Sequence, residues 1–185
     1  MFRSLAPGFL LATPVLQDPN FRKTVVFLYH HTPETALGLV VNRPGPRRLS
    51  EVLQATNLLA ADPALREMPI LAGGPVALES GWVVFEGHDP SCDSFVTGEG
   101  VEVTGSLEVF KSLLARKNPS RMLFLLGYSG WGPGQLESEV ESGIWLPVPM
   151  SPRIIFDVPF DERWRAAFHG QGIDPDLWTF HAGEG

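Results

Sequence analysis

A single cysteine, Cys92, occurs in the 185 residues, so the chain cannot form an internal disulfide, and a reducing compartment suits it. Cys92 lies in a polar stretch with His88 as its one nearby basic neighbour, which does not favour a reactive thiolate. No Cys-x-x-Cys pair and no helical His-x-x-x-His spacing is present, so no metal site is expected. The vicinal His30-His31 pair would point to opposite faces of a strand, a poor geometry for one ion. No apolar run reaches the ~18 residues that would span a membrane. The first residues lack a basic stretch followed by a long apolar one, and the cytoplasm is the expected location. Basic residues are outnumbered, 14 Lys and Arg against 21 Asp and Glu, for a net charge of −7. Binding to phosphate backbones needs a basic surface, so direct contact with nucleic acid is not expected.

What is present is a globular composition, 44% apolar, and a length suited to one domain over 1–185. Strands are expected at 8–15, 24–30 and 36–41, with Gln17-Asp18-Pro19-Asn20 as a turn. The connection through Thr32-Pro33-Glu34 is short enough to require an antiparallel hairpin. Residues 42–46 read as a loop, and Ser50 can cap a helix over 50–60. Short strands follow at 70–72, 82–85 and 101–104, with 86–100 as a polar loop. Ser106 can cap a helix to 116, with Leu107, Phe110, Leu113 and Leu114 on one face. A central strand is expected at 122–126, then a tight glycine turn, then an acidic helix opened by Pro133 and ended near Gly143. Edge-like strands at 144–148 and 153–156 precede a last helix from Pro159 to Gly170. The mixture reads as α+β: a single compact domain with a mixed, largely antiparallel sheet and helices packed on it.

The densest chemistry lies in Gly127-Tyr128-Ser129-Gly130-Trp131-Gly132-Pro133-Gly134-Gln135, with Glu137 and Glu139 following. Closely spaced glycines permit close backbone approach or positive φ. Trp131, flanked by glycines, is expected to be partly exposed, as binding aromatics are; the alternative is a plug for the sheet end. Trp82, Trp145, Trp164 and Trp178 read as core and rim packing. Gly127-Tyr128-Ser129-Gly130 also approaches a nucleophile elbow, with Asp157 and His169 or His181 following in hydrolase order. Trp131 occupies the position where the second small residue belongs, so Ser129 is not expected to be catalytic. Gly73-Gly74-Pro75 can offer backbone N–H groups to an anion but lacks the Lys and Ser or Thr of a phosphate loop, and a tight strand exit is the simpler reading. Arg43, Arg47 and Arg48 form the one basic cluster, a solvated loop or a contact for phosphate or acidic partners.

Six segments, taken in order, resemble the AlgH/YqgE family of bacterial proteins. They are Leu16-Gln17-Asp18-Pro19-Asn20-Phe21, Gly38-Leu39-Val40-Val41-Asn42-Arg43-Pro44, Gly73-Gly74-Pro75-Val76, Gly127-Tyr128-Ser129-Gly130-Trp131 with Gly134-Gln135-Leu136-Glu137, Trp145-Leu146, and Arg163-Trp164. The resemblance implies one α+β domain and a family largely without assigned activity, labelled as transcriptional regulators through genetic association. This chain departs from the usual pattern at His30-His31-Thr32, at Ser129, often alanine in the family, and at Phe180-His181-Ala182. The functional expectation is therefore a non-enzymatic binding or regulatory module without cofactor. Its groove would be lined by Asn42, Arg43, Gly73, Gly74, Tyr128, Ser129, Trp131, Gln135 and Glu137, and would take a small polar molecule, a peptide or a protein partner. A serine hydrolase using Ser129 and a DNA-binding regulator are the alternatives. No basic recognition helix supports the latter.

Overall fold

Alternation decides the architecture. In the first strand, β1 (Gly8–Ala12), Phe9 and Leu11 belong to one buried cluster while Leu10 and Ala12 belong to another. A strand buried on both sides must lie inside a sheet with helices on each face. The structure, a computed structural model, describes residues 2–87, 95–96, 99–116 and 121–178. The remaining strands are β2 (Val25–His31), β3 (Ala36–Val40), β4 (Pro44–Arg48), β5 (Pro69–Ala72), β6 (Val76–Glu86), β7 (Phe95–Val96), β8 (Val101–Thr104), β9 (Met122–Trp131) and β10 (Trp145–Val148). The helices are α1 (Leu49–Thr56), α2 (Leu107–Leu114), α3 (Gln135–Glu141), α4 (Pro152–Phe156) and α5 (Arg163–His169).

The main sheet runs β10-β1-β2-β3-β9-β6-β8-β7. Its pairings are antiparallel, and β5 joins β9 in parallel while β4 pairs β5 on the outside. The fold is α+β, as expected. One face, carrying Phe9, Phe27, Leu39 and Leu125, is covered by α4 and α5 through Ile154, Ile155, Trp164 and Phe168. On the other face, Phe85 and Phe124 meet α1 and α2, and Leu28 and Val40 lie with Trp131, Leu136 and Trp145 near α3. Helix α5 is pinned to the sheet by the Trp164 indole, which donates to the Ala12 carbonyl at 2.8 Å, and by Arg163, which donates to the Val41 and Val158 carbonyls.

Several expectations change. Residues 127–131 are not a turn: β9 continues through them, pairing Gly38 with Ser129 and Ala36 with Trp131. The turn comes later, at 132–134, where Gly134 has a φ of 69°. The glycines serve a crossing of backbones. A Cβ on Gly73 would sit 2.4 Å from the Gly127 carbonyl oxygen, and one on Gly74 would sit 2.2 Å from the Tyr128 carbonyl carbon. Residues 44–48 form the edge strand β4 rather than a loop, where proline is tolerated because the outer side needs no donor. Residues 153–156 lie in helix α4, with Pro152 in the first turn, rather than in a strand. Helix α1 stops at Asn57, whose φ of 55° closes it with a left-handed cap, earlier than the expected 60. Strand β6 begins at 76, well before 82. Within the expected loop 86–100, Phe95–Val96 pairs with β8, while Cys92 and His88 lie outside the described residues. His181 lies outside them as well.

Candidate functional site

Asn42 and Arg43 are tied into the scaffold. The Asn42 Oδ1 accepts from the Val25 amide at 2.8 Å, and its Nδ2 donates to the Lys23 carbonyl at 2.9 Å. Arg43 donates to the carbonyls of Pro19, Asn20 and Arg22 at 2.6, 2.7 and 2.7 Å. Burial holds the Arg43 guanidinium below its ordinary pKa; the nearby Arg22 adds to this and Asp18 opposes it. The pair therefore clamps the loop between β1 and β2.

The far end of β9 is equally committed. Trp131 is 5% exposed, contrary to its expected exposure. Its indole donates to Glu139 Oε2 at 2.9 Å, and the Trp145 indole donates to the same oxygen at 2.8 Å. Gln135 donates to the other Glu139 oxygen at 2.9 Å and accepts from the Gly132 amide. Glu137 lies 3.0 Å from His31 Nε2, while His31 Nδ1 accepts the Leu5 amide at 3.0 Å. An amide can only donate, so this fixes the tautomer: Nε2 carries the proton. The plug reading of Trp131 is the one the packing supports.

Between these ends, Ser129 is 1% exposed and its hydroxyl donates to the Gly73 carbonyl at 3.4 Å. It sits within β9, not on an elbow, and no base reaches it among the described residues. Tyr128 packs edge-on to Trp82 with ring centroids 6.0 Å apart. Burial raises the Tyr29 phenol well above its ordinary pKa, with Tyr128 contributing, so this aromatic group stays neutral.

The expected common groove does not form. Trp131 pairs with Ala36, at the opposite end of β3 from Asn42 and Arg43. Extended chain from Ala36 to Asn42 covers about 20 Å at ~3.4 Å per residue. Gly73, Gly74, Tyr128 and Ser129 do come together, but as a backbone crossing.

Gly74 also reaches a cavity the sequence did not single out. Two adjoining cavities, about 390 and 300 Å³, share Arg47, Glu79 and Leu126. Val83, Phe110 and Phe124 line the first, while Ile70, Leu71 and Leu78 line the second. One wall comes from β6. From Val76 to Gly81 this strand advances five residues while β9 advances two, from Tyr128 to Leu126. The excess bulges outward, with Ala77 at a φ of 46°. Leu78 at its crest is 63% exposed. Arg47 and Glu79 make no ion pair among the described residues, and both face this mostly apolar groove. Arg47 was visible as part of a basic cluster. The signal for the rest, Val76-Ala77-Leu78 directly after Gly-Gly-Pro, is an apolar run that reads as ordinary strand.

Among the described residues, no group of three or more His, Cys, Asp or Glu is placed to hold a metal ion. No helix there is long and apolar enough to cross a membrane.

A family model described as AlgH-like (DUF179) matches residues 9–176. A UPF0301 protein of Anaeromyxobacter dehalogenans is 41% identical over 182 residues, covering 92% of this chain and 90% of its own. A UPF0301 protein of Methylococcus capsulatus is 37% identical, covering 98% and 96%. Among solved structures, the solution structure of the AlgH protein from Pseudomonas aeruginosa superposes with a TM-score of 0.78 at 35% identity, covering all of both chains. A Corynebacterium diphtheriae protein, DIP2367, shares the fold at a TM-score of 0.72 and 18% identity, covering 97% and 94%. Matched along nearly its whole length, the chain belongs to the AlgH-like (AlgH/YqgE) family.

Proposed function

We propose that the chain is a non-enzymatic binding module whose groove between β4 and the β6 bulge takes an extended, mainly apolar segment of a protein partner. The observation that carries this reading is the junction of the two cavities. There a cation, Arg47, and a carboxylate, Glu79, neither in an ion pair among the described residues, flank an apolar floor beside the exposed Leu78. Apolar side chains of the segment would fill the floor, while an acidic residue meets Arg47 and a basic one meets Glu79. The bulge matters because it lifts Leu78 off the sheet, where it can close over an inserted chain. The open, apolar shape suits a peptide better than a small polar ligand. A regulatory role follows through the partner. We assign no direct DNA contact, because a net charge of −7 gives no general counterion-release drive. We place the protein in the cytoplasm on its single cysteine.

Selection of short random peptides against the purified chain tests the reading. A selected peptide titrated into isotope-labelled protein should shift the amides of Arg47, Leu78, Glu79 and Gly81. Leu78→Asp should abolish those shifts without unfolding the exposed site. Perturbations gathered instead around Gln135 and Glu137, or binding indifferent to Leu78→Asp, would sink it.

A further inference from the structure

A separate cavity, of about 310 Å³, opens where β1 ends and β2 begins. It is lined by Thr13, Pro14, Leu16, Gln17, Arg22 and Lys23. Neither Arg22 nor Lys23 forms an ion pair among the described residues, although acidic side chains outnumber basic ones in the chain. Lys23 instead lies 5.7 Å from the centre of the Trp164 ring.

The loop that carries these cations is shaped from behind. Arg43 takes the carbonyls of Pro19, Asn20 and Arg22, and Asn42 takes that of Lys23. These oxygens would repel an anion, and all are engaged by residues that do not line the cavity. The Phe21 and Arg22 amides both donate to the Asp18 carbonyl, closing the turn. Lys23 is held at a φ of 56°, an unusual conformation for a residue with a side chain.

The surroundings add cations. Arg163 is 3% exposed and donates to the Val41 and Val158 carbonyls, not to a carboxylate. Burial pushes its guanidinium down to about 10, still ionised at neutral pH. Arg43 is a further cation beneath the loop. Of the nearby carboxylates, Asp18 accepts the Asn20 amide at 2.7 Å and Asp176 pairs with Arg165; both keep their negative charge, and Asp176 also attracts Lys23. Arg22 and Lys23 at the cavity, with Arg43 behind the loop, thus gather cations at one place on an acidic protein, and a low-dielectric wall strengthens their field.

We propose that the cavity lined by Thr13, Gln17, Arg22 and Lys23 binds a small polyvalent anion with phosphate or carboxylate groups. Its volume lies at the small end of ligand cavities, which span ~300–1,000 Å³. The overall negative charge disfavours an extended polyanion here. Arg22 can fork two anion oxygens, Lys23 supplies a point charge, and the indole of Trp164 beside it restricts hydration. The Thr13 hydroxyl donates to the Gly143 carbonyl at 2.7 Å and anchors that wall to the start of β10. This site is independent of the peptide groove, which neither Arg22 nor Lys23 lines.

The test titrates pyrophosphate, inorganic phosphate and citrate separately into the isotope-labelled full chain, at constant ionic strength balanced with chloride. Saturable amide shifts at Thr13, Gln17, Arg22 and Lys23 are expected. The pyrophosphate and citrate arms separate phosphate from carboxylate preference. Arg22→Gln and Lys23→Gln should each weaken binding about tenfold, the loss of one charge-assisted contact. Both side chains are exposed, so folding is preserved, and Arg47→Gln should bind the anion as the unaltered chain does. Shifts that rise linearly for every anion, or equal binding by the Arg22 and Lys23 variants, overturn the proposal.

Discussion

Truncating Trp131 distinguishes a binding aromatic from a structural one. The residue is 5% exposed and packs with Phe21 at 6.5 Å and Trp145 at 5.9 Å between ring centroids. Leu136 of α3 belongs to the same cluster. Trp131→Ala removes the indole from a wall formed by other aromatics that cannot collapse inward. Lost transfer energy and the residual cavity together cost about 3–5 kcal/mol. The indole also donates to Glu139, which keeps the Trp145 and Gln135 bonds, so the carboxylate is not orphaned. Trp131→Phe retains most of the packing and loses the hydrogen bond, for about 1–3 kcal/mol. Trp164→Ala is the reference. That residue is 4% exposed, stacks edge-on with Phe168 at 5.0 Å, and donates to the Ala12 carbonyl. Its truncation is expected to cost the same, about 3–5 kcal/mol. Urea unfolding followed by far-ultraviolet circular dichroism measures all three. With a slope of ~2–3 kcal/mol per molar, either alanine variant moves the midpoint down by roughly 1–2 M. A Trp131→Ala midpoint near that of the unaltered chain, with Trp164→Ala strongly shifted, would refute the structural role and return Trp131 to the list of binding residues.

Gly74→Ala should be severely destabilising, because its Cβ would lie 2.2 Å from backbone that cannot move without breaking β9; loss of soluble protein or a collapsed thermal midpoint is the readout. Arg43→Lys should cost about 1.5–3 kcal/mol in chemical denaturation, since a point charge cannot serve the three carbonyls that the planar fork holds. Asp176 should titrate below the ordinary carboxylate value, chiefly because the Arg165 side chain bonds its ionised form, with Lys23 and His169 adding to this, and Arg165→Gln should raise it toward the ordinary value in a carboxyl carbon titration. The sign is that of a depressed acid: the pair's contribution is present above the unfolded-state pKa and fades as the pH falls through the depressed one.

Local patterns revealed much of the fold. Ser106 does accept the Val109 amide at the start of α2, and Phe110, Leu113 and Leu114 do face inward. The hairpin of β2 and β3 followed from its short connection. Residues 127–131 misled because glycine serves a tight turn and a close strand crossing equally well, and its crossing partner, Gly73-Gly74, is remote in sequence. The prolines of β4 resemble a loop until its outer side is known to be unpaired. Ile154, Ile155 and Phe156 favour a strand by propensity, yet docking on the sheet face makes them a short helix after Pro152. Of the expected site, Asn42, Arg43, Trp131 and Gln135 turned out to hold the scaffold. The groove escaped notice because Arg47, Leu78 and Phe124 come from separate segments, none unusual alone.

Charge reversal across the groove tests the central claim most directly. Two versions of one groove-binding peptide, differing only in an acidic or a basic residue at the position that meets Arg47, are titrated into the unaltered chain and into Arg47→Glu. The unaltered chain should prefer the acidic peptide, and Arg47→Glu should invert that preference, each version changing by about tenfold. Identical affinities for both peptides in both proteins would contradict the claim that this groove, flanked by Arg47 and Glu79, is where the protein binds its partner.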